Sequence, residues 1–111
     1  MRKERFPGYK ACLAMMRKHS PQTMEDGFYT LLPHAAEYID ELMAEFQTEK
    51  DHGLRCWLLE LIGEARSENA FDLLCEQLQS SDESLRYWAI RGLRKLNTKA
   101  ARRALFDVGV G

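Results

Sequence analysis

The sequence predicts an all-α fold built from stacked helix–turn–helix units, and three observations carry that expectation. Apolar residues recur at spacings of three and four along the chain and nowhere alternate for long. Only three prolines occur, and each falls where a helix begins or ends. The stretch "LRCWLLELIGEA" from Leu54 returns 31 residues later as "LRYWAIRGLRKL" from Leu85.

About seven helices are expected. Pro7 suits a first turn, Tyr9, Leu13 and Met16 share one face, and "HSP" at 19–21 ends the segment. Thr23 is placed to cap a short second helix over Glu25 to Leu32. Pro33 opens a third without losing an intrahelical hydrogen bond, and its stripe is Ile39, Leu42, Met43 and Phe46. Asp51 caps a fourth, with Leu54, Leu58, Leu61, Ile62 and Ala65 inward. Ser67 caps a fifth, with Phe71, Leu74, Cys75 and Leu78 inward. Asp82 caps a sixth, burying Leu85, Ala89, Leu93 and Leu96. A seventh starts at Asn97 or Thr98 and runs to about Asp107, leaving a loose "VGVG" tail.

The repeat extends beyond the quoted phrase. At a spacing of 31, Asp51 matches Asp82, Leu54 Leu85, Arg55 Arg86, Trp57 Trp88, Leu59 Ile90 and Ile62 Leu93. At a spacing of 32, Ile39 matches Phe71, Leu42 Leu74, Met43 Cys75 and Phe46 Leu78. Such a unit cannot bury its apolar face alone and must stack on copies of itself. On "LRCWLLELIG" and "LRYWAIRGLR" the chain resembles small bacterial-type members of the HEAT-repeat family, whose second helix begins with an aliphatic–Arg pair and runs towards a Leu-Gly. The resemblance covers residues 36 to 107. It implies a short α-solenoid, a right-handed α-α superhelix. Where the family often has an Asp five positions before the aliphatic residue, this chain has Glu49 and then Ser80, which argues against a regular Asp–Arg ladder. The expected organisation is one domain over 1–111: an atypical helical cap (1–35), two repeats (36–66 and 67–97), a closing helix (98–107) and a tail (108–111).

Composition limits the classes of function. With 45% hydrophobic and 10% aromatic residues the chain can build one modest core. No apolar run is long enough to span a membrane, and "MRKERFPGYK" has no apolar signal segment behind its charges, so a soluble cytoplasmic protein is expected. Cys12, Cys56 and Cys75 are odd in number and follow no metal-like spacing. The net charge of -1 conceals sorting: residues 1–18 carry six basic groups and one acid, 22–83 fifteen acids and three bases, and 85–106 seven bases and no acid. Sorting of this kind bears on partners rather than on fold.

Chemistry is hard to find. No converging set of tunable groups is visible, so the expectation is a non-enzyme without cofactor or metal. His34 and Glu37 have an i, i+3 spacing but no second such pair follows, and Cys56 lies beyond the first turn of its helix. Some HEAT-like proteins act on bilins or alkylated bases, but no residue here matches such a site; a lyase-like or base-processing enzyme is the third reading.

The tryptophans point to binding. Trp57 projects about 90° from the centre of its helix's apolar stripe, beside Glu60 and Glu64, and Trp88 projects beside Arg91 and Lys95. Two stacked repeats would present an aromatic pair flanked by an acid pair and a basic pair, with Glu60–Arg91 and Glu64–Lys95 able to pair laterally. The resemblance implies that these second helices line a concave surface, where indoles serve as anchors. The plainer alternative is that each indole fills the seam between the helices. The expected function is a protein-binding module, an adaptor or an inhibitor of the immunity type, using Trp57, Trp88, Tyr87, Glu60, Arg91 and Lys95. The chain is expected to be a monomer or to self-associate weakly. The alternative is nucleic-acid binding by the basic C-terminal repeat, which the acidic segment beside it opposes.

Overall fold

The computed structural model describes residues 5–110, and every regular element among them is helical. Arg2, Lys3 and Glu4 of the N-terminal charge cluster and Gly111 of the tail lie outside the described residues. The chain divides into two compact units, Met1–His34 and Ala35–Gly111.

The first unit pairs α1 (Tyr9–Met16) with α2 (Pro21–Leu31). Cys12, Leu13 and Met16 are buried on α1, and Phe28 and Leu31 on α2. The two helices touch backbone to backbone at Gly27, where a Cβ would stand 2.6 Å from the Cys12 carbonyl oxygen. Helix α2 begins earlier than Thr23 predicts. Pro21 occupies its first turn and Ser20 is the N-cap, its Oγ accepting from the Thr23 N–H at 3.5 Å. Proline needs no hydrogen bond there, so it starts this helix as readily as it ends the one before. Phe6 stacks on His34 with ring centroids 3.8 Å apart. Pro33 opens no α-helix: Leu32–Tyr38 is a 3-10 segment, and α3 spans Ile39–Thr48.

The second unit contains two helical hairpins. Helix α3 packs on α4 (His52–Glu64), α5 (Phe71–Leu78) on α6 (Glu83–Leu96), α4 on α6, and α7 (Lys99–Asp107) on α6. The caps follow the sequence reading closely. The Leu54 N–H donates to Asp51 at 2.8 Å, Leu85 to Asp82 at 2.9 Å and Ala101 to Thr98 Oγ1 at 3.0 Å. Even the substituted loop position keeps one job: Glu49 accepts from the Asp51 N–H and Ser80 from the Asp82 N–H, each at 3.0 Å. Asn97 ends α6 in the left-handed region, φ 51°, so Thr98 alone starts α7.

The core comprises Leu42, Phe46, Leu58, Leu59, Leu61, Ile62, Leu74, Ala89 and Leu93, all at or near zero exposure. Three expectations are corrected. In α5 the inward residues are Leu73, Leu74 and Leu78 with Ala70 before them, while Phe71 and Cys75 are half-buried. Ser67 caps a 3-10 turn, Glu68–Ala70, whose tighter winding turns the following helix relative to a continuous α-helical projection. Ala65 and Leu96 are half-buried because each stands at the end of its helix. The tail is held as far as Val110: its N–H donates to the Leu105 carbonyl at 2.9 Å and that of Gly109, φ +83°, to Phe106 at 3.0 Å, a Schellman cap.

Candidate functional site

Helices α4 and α6 lie side by side and parallel, as three cross-links at matching levels show. His52 Nε2 meets Asp82 Oδ2 at 2.9 Å near both N-termini, Gly63 meets Gly92 further along, and Lys95 Nζ meets Glu64 Oε2 at 3.1 Å. The glycines set how close the helices come. A Cβ on Gly63 would lie 2.8 Å from the Gly92 Cα, nearer than real Cβ atoms stand. The seam is closed there by backbone.

A crevice opens beside that contact, lined by Glu60, Gly63, Glu64, Trp88, Arg91, Gly92 and Lys95. Four of the six residues predicted for the site thus meet at one place. Tyr87, 51% exposed, stands next to it with its ring edge-on to Trp88 at 5.0 Å. Trp57 is half-buried on α4 but does not line the crevice. The physical reason is angular: at 100° per residue Trp88 lies about 40° from Gly92 around α6, whereas Trp57 lies about 120° from Gly63 around α4. Sequence-equivalent tryptophans therefore stand differently relative to the seam.

Of the two expected lateral pairs, Glu64–Lys95 forms and Glu60–Arg91 does not. The Arg91 guanidinium instead lies over two rings, 5.6 Å from the Trp88 centroid and 5.8 Å from that of Tyr87, within cation–π range. Burial raises the Glu60 carboxyl above its ordinary range and Glu64 adds to this, while Arg91 and Lys95 act against it. The site is an aromatic pair under a guanidinium, bordered by one carboxylate, Glu60, without an ion pair among the described residues and by the neutralised Glu64–Lys95 pair. Gly63 and Gly92 were not among the predicted residues. Their signal was present, since glycine inside a helix costs about 1 kcal/mol relative to alanine and marks a close backbone approach.

The basic residues of α6 and α7 are mostly engaged. Arg86 donates to the Ser80 carbonyl at 2.7 Å, Arg102 to Asn97, and Arg103 pairs with Asp107 at 3.0 Å. Cys56 Sγ lies 3.8 Å from His52 Nε2, with Asp82 on that same nitrogen. A nucleophilic relay needs the base to address the thiol with one ring nitrogen and its orienting carboxylate with the other, so this cluster is not one. Burial, then Asp82, raises the Cys56 thiol, which Arg55 only partly offsets. Among the described residues no cluster of His, Cys, Asp and Glu could hold a metal ion, and no helix is long and apolar enough to cross a membrane.

Fold and site together define a class, the helical-repeat proteins. Compared with known families, the chain matches the one described as HEAT repeats over residues 39–108, and it belongs to that family. HEAT repeats commonly serve as protein-interaction scaffolds and are generally non-enzymatic. No curated protein and no solved structure gives a significant match.

Proposed function

We propose that the protein is a non-enzymatic binding module that holds another protein on the exposed side of the α4–α6 seam, as an adaptor or an immunity-type inhibitor. Trp88 and Tyr87 act as anchors, Arg91 orients an acidic or carbonyl group of the partner, and Glu60 and Lys95 border the contact. Trp57 is a flanking contact rather than half of an aromatic pair. One observation supports this most: Gly63 and Gly92 close the seam, so the Trp88 indole is not required to fill it. Large aromatic side chains next to arginine are the residue types that dominate interface energies.

The test is a quantitative pull-down from the source cells with the wild-type chain, Trp88→Ala and Arg91→Glu, with thermal midpoints measured in parallel. A protein retained by the wild type and lost by Trp88→Ala, with the midpoint lowered by no more than a few degrees so that the variant stays folded during the pull-down, is the expected result. Equal retention by Trp88→Ala, or retention that disappears with nuclease, overturns the reading; the second outcome points to nucleic acid.

A further inference from the structure

Helix α7 carries a second patch. Phe106 is 71% exposed and is bordered by Lys99, Arg102 and Arg103, with Ala100 between them. The repeat explains where it points. At a spacing of 31, Ala70, just before α5, and Leu74 of α5 become Ala101 and Leu105 of α7, buried in both cases, and half-buried Cys75 becomes Phe106. One unit earlier, at the spacing of 32 that relates α3 to α5, the same position is Met43, which lines a groove shared with α5. Phe106 therefore stands on the side of its helix on which each unit meets the next.

That groove complements the patch. Met43, Ala44 and Leu73 form its apolar floor, and Asp72 and Glu76 its rim. Both carboxylates are exposed and form no ion pair among the described residues. A helix bearing one large apolar knob among cations fits a groove between two helices that is apolar at the base and acidic at the edge. Knob and groove belong to one folded unit, so they meet only between copies.

We propose that the Phe106 face of α7 docks in the α3–α5 groove of a second copy, Phe106 covering Met43, Ala44 and Leu73 while Lys99, Arg102 and Arg103 face Asp72 and Glu76. The Arg103–Asp107 pair is solvent-exposed and exchanges its partner at little cost. Different surfaces meet on the two copies, so the contact either forms twice in a reciprocal two-fold dimer or repeats head-to-tail. It uses no residue of the Trp88 site and stands or falls separately.

Sedimentation of the full chain tests it. At about 50 mM salt the average mass rises to that of a dimer or beyond as concentration increases from about 5 µM to about 1 mM, and near 0.5 M salt the rise is suppressed by screening. Phe106→Glu and the double change Asp72→Lys with Glu76→Lys each abolish the rise; all three positions are on the surface, and unchanged helical circular dichroism checks the fold. Mixed together, the two variants form a one-to-one dimer and nothing larger, because the intact α7 of one fits only the intact groove of the other. Arg103→Glu is a second α7 variant with the same expected behaviour in the mixture. Monomer mass throughout the wild-type series, self-association that survives Phe106→Glu, or a mixture that stays monomeric would each overturn the proposal.

Discussion

Single atoms decide most of what happens at the α4–α6 seam. A methyl group on Gly63 would meet the Gly92 backbone at 2.8 Å, so Gly63→Ala should lose about 1–3 kcal/mol by overpacking despite the better helix propensity of alanine. Gly53, whose Cβ would find only Asp51 Oδ2 at 3.5 Å, should give the opposite sign, up to about 1 kcal/mol more stable as alanine. Urea melts of both variants check this pair. Leu85 is buried and Trp88 is half-buried. Leu85→Ala should cost about 2–5 kcal/mol and Trp88→Ala less than about 1 kcal/mol, and equal losses would mean that the indole serves packing alone. Glu60 supplies a pH test. Its folded-state carboxyl is raised above the unfolded value by burial and by Glu64, so the folded chain holds that proton more tightly and gains stability as pH falls through the raised value. Glu60→Gln should be the more stable form at neutral pH, and its advantage should shrink as pH falls through the carboxylate range.

At the scale of elements, the starts of α4, α6 and α7 are legible because they depend on local chemistry, whereas those of α2, α3 and α5 are displaced from the residues expected. Asp51, Asp82 and Thr98 each accept from the N–H three residues on, as any capping residue before an apolar run does. Asp51→Ala should cost about 0.5–2 kcal/mol, measured by denaturant unfolding. At Asp82 the Leu85 N–H, followed by the His52 contact, holds the carboxyl below its ordinary range. A depressed folded-state value means that this contribution is present above the unfolded value and is lost as pH falls through the folded one. Thermal melts should therefore show the wild type ahead of Asp82→Ala at neutral pH and converging with it in strong acid. Faces were less legible than starts. Phe71 and Cys75 were expected inward, but the 3-10 turn at Glu68–Ala70 turns α5 so that Leu73 takes the core position. Whether a turn winds as 3-10 or α depends on what it packs against, which no local pattern states.

Across the whole chain, charge sorting bears on the class of partner. The seven basic residues of 85–106 look like a phosphate-binding stretch when counted. In the fold, Lys95 is held by Glu64, Arg86 by the Ser80 carbonyl, and Arg102 and Arg103 by Asn97 and Asp107. Only Lys95 and Arg103 of the seven are paired with a carboxylate among the described residues, so what opposes a nucleic acid is the fifteen acids of residues 22–83, which repel a phosphate backbone. A filter-binding assay at about 50 mM salt, where phosphate attraction is strong, should detect no specific DNA or RNA binding. Binding that falls steeply with salt and is abolished by Arg102→Glu would reverse that assignment.

Sequence alone determined the helical class, the unit of about 31 residues and the capping residues Asp51, Asp82 and Thr98, because each rests on periodicity or on local spacing. Tertiary structure decided what lies where two repeats meet. The Gly63–Gly92 contact is offset by 29 residues rather than 31, and that difference puts Trp88 at the crevice and leaves Trp57 outside it. It also drew Arg91 over the Tyr87 and Trp88 rings instead of towards Glu60. A repeat spacing counts residues along one chain, whereas the contact between two helices follows from how closely their backbones approach, and that distance is set by both helices together.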